Sequence, residues 1–401
     1  MTNHRFLAAD AVRDLVAGPA GEHCPFLPVF GAPAVMFVRG EGTQLWDADG
    51  KRYLDFLSGI AVTSLGHAHP GVARAIADQA QRLLHVSTFF ANPVAARAAV
   101  MVDELLGGGG QVFFCNSGAE ANEAAIKLAR KFGGRSRHRV VSMLGSFHGR
   151  TLAALAATGQ PAKHEPFQPM PEGFAHVPFG DIDALDRAVD ASVAAVLIEC
   201  VQGEGGVIVA DDAYLRAVRQ LCTERGALLV IDEVQTGFAR TGAWFAFQHA
   251  GIEPDAVTLA KAMGNGVPVG ALWARREVGS VFVPGDHGST YSGTALATSA
   301  VIAVIEAMRE LNAPQRARDM GALLTERLRR LPGVVDVRGK GLLLGVELGP
   351  DADAKHVVAA LLERGLVANA VTATAVRLAP PITVSAAEID EAVAIFAEVL
   401  R

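Results

Sequence analysis

The sequence has little that would take it to a membrane, a nucleic acid or an oxidising compartment. No apolar run reaches the ~18 residues that a membrane-crossing helix needs. The opening stretch, Met1 to Leu15, contains Asp10 and Asp14 and no long apolar segment, so neither a secretory signal nor a transit peptide is expected there. No stripe of lysine and arginine stands out. The formal net charge is −6 over 401 residues, which gives no reason to expect nucleic acid or an anionic lipid surface as a partner. The four cysteines, Cys24, Cys115, Cys200 and Cys222, lack CxxC spacing. They read as small buried hydrophobes in a reducing setting, and a cytoplasmic location is expected. There is no internal repeat, and low complexity is confined to the four glycines at 107–110.

What is present fits a globular enzyme. Half of the residues are hydrophobic and 19% are charged. The length exceeds what one ordinary core organises, so a large domain with a smaller companion is expected. Residues 1–60 look irregular apart from a hairpin around Asp49-Gly50. Further on, short continuous apolar runs alternate with helical stretches. Strands are expected at 111–115, 139–144, 193–199, 227–232, 256–259 and 269–275, and helices at 119–132 and 211–225. That alternation predicts an α/β fold with a mostly parallel sheet covered by helices. Two long helical stretches follow 295, and strands near 334–348 and 376–379 with helices near 353–364 and 386–400 predict a small α+β unit. The expected division is 1–65 contributing to the small domain, 66–295 as the large domain, and 296–401 as the C-terminal small domain with its linking helix.

Ligands of open α/β sheets bind beyond the carboxyl ends of the strands. Four segments lie there. Asn116-Ser117-Gly118-Ala119 opens a helix, so its free backbone N–H groups and the helix dipole suit a phosphate, although a tight strand-to-helix connection explains it equally well. Ser146-Phe147-His148-Gly149-Arg150 gathers an aromatic ring, an imidazole and a guanidinium, suited to stacking on a planar ring and gripping a carboxylate; a core Phe and a surface Arg would give the same pattern. Leu228–Ile231 runs into Asp232-Glu233-Val234-Gln235. A carboxylate ending a buried strand calls for a cationic partner such as a protonated pyridine nitrogen. A helix cap or a Mg²⁺ ligand are the alternatives, but no GxxxxGK[ST] loop supports nucleotide hydrolysis. Finally, Lys261 stands between an apolar strand and a glycine-rich turn, where desolvation would free its amine for Schiff-base chemistry.

Together these segments resemble the class III, ornithine-type aminotransferases. NSGAEANEAAIK, SFHGRT, DEVQTG, LAKAMGNGVPVGA and HGSTYSG occur in family order, and the likeness runs from Gly40-Glu41-Gly42 to Arg377-Leu378-Ala379-Pro380-Pro381. The resemblance implies fold type I and pyridoxal 5'-phosphate as cofactor. It implies that Lys261 carries the cofactor and moves protons, that Asp232 pairs with the pyridine nitrogen, and that Gln235 bonds the phenolic oxygen. Val234 and Phe147 would cover the two ring faces, and Ser117, Gly118 and Ala119 would hold the phosphate. Thr290 would reach the phosphate of the neighbouring subunit in a homodimer. Arg150, with Ser289 nearby, would hold a substrate carboxylate, while Arg377 would hold the α-carboxylate of glutamate and pair with Glu204 otherwise. Glu199 would stand behind these groups. The partners implied are an ω-amine donor and 2-oxoglutarate.

Some positions depart from the family's usual pattern. Ser292-Gly293-Thr294-Ala295 replaces Gly-Gly-Asn-Pro, Cys200-Val201 replaces Pro-Ile, and Phe30 stands where a tyrosine is usual. Ile60 occupies a position where enzymes acting on free ornithine carry a tyrosine. An apolar residue there cannot bond a free α-ammonium. Together with Arg150 and the Glu204–Arg377 switch, this makes N2-acetylornithine the expected donor, with ornithine, succinylornithine, 4-aminobutyrate and a carrier-linked lysine precursor as alternatives and a glutamate-semialdehyde mutase as a more distant one. A non-catalytic regulator would show a DNA-binding appendage or a broken Lys–Asp pair, and neither is visible. Two patterns are set aside. Gly339-Lys340-Gly341 reads as a tight turn entering a strand, and His67 with His69 as structural residues of a turn, so no metal is expected.

Overall fold

The computed structural model describes residues 27, 29, 30 and 33–401. The expectations on the N-terminal stretch and on Cys24 lie outside these residues. Continuous apolar runs form the interior strands, as their lack of alternation predicts. They are β4 (Gly110–Cys115), β5 (Arg139–Met143), β6 (Phe174–Val177) and β7 (Val193–Ile198). A small hairpin follows, β8 (Val201–Gln202) with β9 (Ile208–Val209). The interior set then continues with β10 (Leu228–Asp232), β11 (Ala256–Leu259) and β12 (Gly270–Arg275).

These strands build a seven-stranded sheet in the order β4-β12-β11-β10-β7-β5-β6. β10 pairs in parallel with β7 and β11, and β5 with β7 and β6. β12 alone runs antiparallel to both of its neighbours, β11 and β4. The short link from Leu259 to Gly270 explains the reversal, because it has no room for a helical crossover. Sequence patterning shows neither that reversal nor β6, whose first three residues are only partly buried.

The helix Gly118–Gly133 packs on this sheet. Ser117 caps it by accepting from Glu120 N, Glu120 sits in its first turn, and Arg130 and Lys131 in its last, all in keeping with the helix dipole. Among the described residues no helix is long and apolar enough to cross a membrane.

The two ends of the described chain interleave. β1 (Phe37–Glu41), β2 (Gln44–Asp47) and β3 (Arg52–Asp55) form an antiparallel sheet, whose hairpin is where Asp49-Gly50 places it. The other edge of β3 receives β15 (Leu366–Val367), in parallel. A further sheet has the order β13-β14-β17-β16, from β13 (Val334–Lys340), β14 (Leu343–Leu348), β16 (Asn369–Ala370) and β17 (Ala375–Leu378). Gly339 and Lys340, read as part of a tight turn, are the last paired residues of β13; the turn into β14 is Gly341-Leu342, with Gly341 at φ +56°. Helices Ala295–Glu310, Ala313–Leu328, Ala354–Glu363 and Ala386–Val399 complete this part, the last opened by a Ser385–Glu388 capping box.

Arg240 joins these parts. It is fully buried, and its guanidinium donates to the Leu342 and Pro380 carbonyls and to Ser64 Oγ at 2.7 Å. Burial pulls its pKa down to about 9 against the opposing pull of Asp55. Removing the guanidinium leaves buried acceptors without donors, each worth about 1–3 kcal/mol. Arg240→Leu is therefore expected to destabilise the fold by about 3 kcal/mol or more. A urea unfolding midpoint equal to that of the parent protein would contradict this.

Candidate active site

Every one of the four segments lies at the carboxyl end of a sheet strand, and the structure brings them together. Asp232 ends β10 and is buried. Its Oδ2 accepts from Asn122 Nδ2 at 2.8 Å and meets His148 Nδ1 at 2.8 Å, while Oδ1 accepts from Val234 N at 3.0 Å. Three donors offset the cost of holding a carboxylate away from water. Oδ1, with a single partner, has capacity for one more cationic donor.

The partners Asn122 and His148 were not singled out by sequence reasoning. Asn122 falls one helical turn beyond Gly118, on the same face, and that spacing is the signal that could have found it. His148 lies within the SFHGRT loop, but nothing in its spacing points to Asp232.

Lys261 follows β11 with a left-handed backbone, φ +50°. It keeps some exposure, yet the protein around it desolvates the amine. Burial first, then the Arg377 guanidinium, bring its pKa down to about 8, with Glu204, Asp232 and Glu199 pulling the other way. Arg377, Glu204, Asp232 and Glu199 all act on the same amine, so they share one chamber with Lys261.

Glu199 is buried and accepts from Phe147 N at 3.0 Å, so it fixes the loop that carries the aromatic ring. Burial pushes its pKa up to about 7. Arg150 is exposed, its guanidinium 5.6 Å from the Phe147 ring centre, and among the described residues no carboxylate pairs with it.

Two glycines let the walls approach. A Cβ on Gly118 would lie 2.7 Å from a Val234 methyl, and one on Gly149 would lie 2.8 Å from Ala119 Cβ. The helix opening at Gly118 is thereby pressed against both the Asp232 turn and the Phe147 loop. As first-turn residues, Gly118 and Ala119 have N–H groups without intrahelical partners.

Arg377, on β17, is completely buried. Its Nη1 donates to Glu204 Oε1 at 2.6 Å and to Gln235 Oε1 at 3.1 Å, its Nε to Asn369 Oδ1 at 3.1 Å, and its Nη2 has no partner among the described residues. Glu204 pays the opposing influences in both directions: burial raises its pKa, but the Arg377 charge outweighs this and the net shift is downward. Ser289 Oγ accepts from Asn116 Nδ2 at 3.1 Å, beside the helix opening. Thr290 is exposed and makes no side-chain hydrogen bond among the described residues.

The residues present fit pyridoxal phosphate. A buried carboxylate has one oxygen free for a ring N–H, a helix N-terminus offers donors to a phosphate, and a desolvated lysine shares the chamber. Phe30, one of the departures from the family's pattern, is 88% exposed. His67 and His69 take the structural roles expected of them: His67 Nε2 meets Asp55 Oδ2 at 2.7 Å, and His69 caps the helix Pro70–Ala80.

Comparison with known proteins agrees with this geometry. The sequence model of the class-III aminotransferases matches residues 30–400. The chain is 46% identical over 370 residues to acetylornithine aminotransferase of Methanothermobacter thermautotrophicus, covering 91% of this chain and 94% of that one. It is 47% identical over 376 residues to acetylornithine aminotransferase 1 of Bordetella bronchiseptica, covering 92% and 95%. Among solved structures, the ornithine aminotransferase of Toxoplasma gondii, described with partial occupancy of its cofactor, superposes with a TM-score of 0.91 at 32% identity, over 99% of this chain and 98% of that one. An ω-transaminase from Thermomicrobium roseum gives 0.90 at 34% identity, with 98% of each chain covered. The chain belongs to the class-III aminotransferase family.

Proposed function

We propose that this protein moves the ω-amino group of N2-acetylornithine to 2-oxoglutarate, giving N-acetylglutamate 5-semialdehyde and glutamate, with pyridoxal phosphate as the carrier. The observation that carries the reading is the pairing of buried Arg377 with the half-buried Glu204 in the same chamber as Lys261 and Asp232. The names of the curated relatives support the choice of donor.

When bound, the cofactor supplies an electron sink for the carbon that loses its proton. Lys261 Nζ holds the cofactor covalently between turnovers and, once released, carries the proton to and from the substrate carbon. Asp232 Oδ1 accepts from the ring nitrogen and keeps it protonated. Gln235 has its amide oxygen committed to Arg377, which leaves Nε2 to donate to the phenolic oxygen. Val234 and Phe147 confine the ring between them, and Ser117, Gly118 and Ala119 receive the phosphate. Glu199 holds the Phe147 loop through its backbone N–H.

Arg150, an unpaired cation at the mouth, grips the distal carboxylate of the substrate. Arg377 serves two substrates in turn. With the acylated donor it stays paired with Glu204, and with glutamate or 2-oxoglutarate it takes the α-carboxylate while Glu204 turns away. Thr290, exposed on its own protomer, reaches the phosphate of a second copy, so the active unit is a homodimer, with Ser289 beside the substrate. We further propose that 1–65 and 296–401 form the small domain around the large domain 66–295, supported by the pairing of β15 with β3. The cytoplasm is the proposed setting.

Three outcomes are expected. Lys261 must be neutral to attach the cofactor. Its pKa near 8 means the amine is mostly protonated below that pH and free above it. The attachment rate of cofactor-free protein should thus rise about tenfold per pH unit up to pH near 8 and then level off. Stopped-flow absorbance reads this, with Lys261→Ala as the blank; a rise continuing past pH 9 would remove the desolvation argument. Asp232→Asn removes a charge-assisted hydrogen bond worth about 1.5–3 kcal/mol, so kcat should fall at least about tenfold. An unchanged rate would mean that another residue partners the ring nitrogen. Third, kcat/KM should be higher for N2-acetylornithine than for ornithine in a coupled assay with 2-oxoglutarate. A ratio at or below one rejects this donor and leaves the aminotransferase assignment standing.

A further inference from the structure

An exchange at Arg377 leaves Glu204 as a carboxylate in need of a new partner. Glu204 sits in the turn 203–206 of the β8–β9 hairpin, with glycines on both sides. Its side chain is 29% exposed, against 0% for Arg377. The turn lies close on the loop after β5. A Cβ on Gly205 would fall 2.8 Å from Gly145 O, and one on Gly145 would fall 2.9 Å from Gln202 Oε1. Gln202 Nε2 in turn donates to Leu144 O at 2.9 Å. The backbone of the turn is thus pinned, and any exchange has to be made by the Glu204 side chain.

Lys163 is tied to the same loop. It ends a single 3₁₀ turn, Pro161–Lys163, and is part-exposed. Its Nζ donates to Gln160 Oε1, and Gln160 Nε2 donates to Ser146 O at 3.0 Å. Gly145 N donates to Gly159 O at 2.8 Å and Gly159 N to Ser146 Oγ at 3.0 Å, which holds this stretch against Gly145 and Ser146. An ammonium has three N–H groups. Among the described residues Lys163 gives one to Gln160 and none to a carboxylate.

Burial raises the pKa of Glu204, and three cations pull it down, Arg377 foremost, then Lys261 and Lys163. Lys163 therefore lies within electrostatic reach of the carboxylate. Once a substrate carboxylate holds Arg377 and the cofactor holds Lys261, Lys163 is the one of the three with its charge to offer. Arg338, also beside the turn, is already taken by Glu347 at 2.7 Å and by Gly206 O at 2.8 Å.

We propose that Lys163 receives Glu204 when a dicarboxylate displaces it from Arg377. Lys163 is then a positioning residue for 2-oxoglutarate and glutamate, and it is silent toward the acylated donor, with which Glu204 stays on Arg377. The inference rests on the proposed exchange at Arg377.

Half-reaction kinetics and calorimetry of the holoenzyme test it, with glutarate as an unreactive dicarboxylate. A part-exposed ion pair changes an equilibrium by up to about fivefold. Lys163→Gln should therefore weaken glutarate binding, and slow the second-order glutamate half-reaction, by about threefold to fivefold. The N2-acetylornithine half-reaction should change less than about twofold. Lys163→Arg should restore both dicarboxylate constants. In a Glu204→Gln background no carboxylate needs receiving, so adding Lys163→Gln should shift glutarate binding by less than about twofold. A full loss in that background would mean that Lys163 acts on the incoming substrate directly, and it overturns the proposal. Equal losses with donor and glutamate, or unchanged glutarate binding in Lys163→Gln, overturn it as well. A parent enzyme that prefers ornithine rejects the donor reading alone, and Lys163 is still scored on glutarate and glutamate. A parent that neither binds glutarate nor reacts with glutamate rejects the exchange at Arg377 and this inference with it.

Discussion

The buried carboxylate of Asp232 constrains everything around it. It ends β10, a strand buried along its whole length, and a charge there is tolerable only with donors on every side. Those donors come from three separate stretches of chain: Asn122 on the helix that opens at Gly118, His148 in the loop after β5, and the backbone of Val234. Each stretch also carries a proposed cofactor contact. Satisfying one carboxylate therefore sets the positions of the phosphate turn, the stacking ring and the opposite face together.

The neighbouring acids are treated differently. Glu199 and Glu233 are both pushed up to about 7, chiefly by burial. Glu233 accepts from Thr236 Oγ1 and from Phe247 N, and Glu199 from Phe147 N. These bonds tie loops together, and none of them directs the carboxylate at a ligand. Three acids within a short distance thus divide into one that faces the chamber and two that brace its walls.

Much of this was legible in the sequence. The four site segments declare themselves because a buried parallel strand is a continuous apolar run, and its carboxyl end is marked by the first glycine or charged residue after it. Lys261 and Asp232 stand out as candidates on that reading, and the four segments taken together give them their expected roles. Contacts set by tertiary register were not legible. Nothing local tells that His148 faces Asp232, 84 residues on, or that Arg240 reaches Leu342 and Pro380. His67 was read correctly as structural, yet its partner Asp55 leaves no periodic trace. β1 was missed inside a stretch that looked irregular, because four of its five residues are exposed and it has no apolar run to announce it.

Among the described residues the two largest fully buried side chains are both arginines, and their partners separate their roles. Arg240 gives its hydrogen bonds to two backbone carbonyls and a serine hydroxyl, groups that belong to the fold and cannot leave. It is a fixed tie. Arg377 gives its shortest bond to Glu204, whose side chain is 29% exposed and so can swing toward water, and it keeps Nη2 without a partner. An orphaned donor on a buried guanidinium is costly unless something else comes to meet it. A carboxylate entering the chamber could take Nη1 and Nη2 together in the fork geometry that arginine favours, displacing Glu204 into solvent at little cost. The same residue type in the same state of burial is thus a permanent cross-link where its acceptors belong to the fold, and, as proposed for Arg377, an exchangeable receptor where its acceptor is a side chain with a way out.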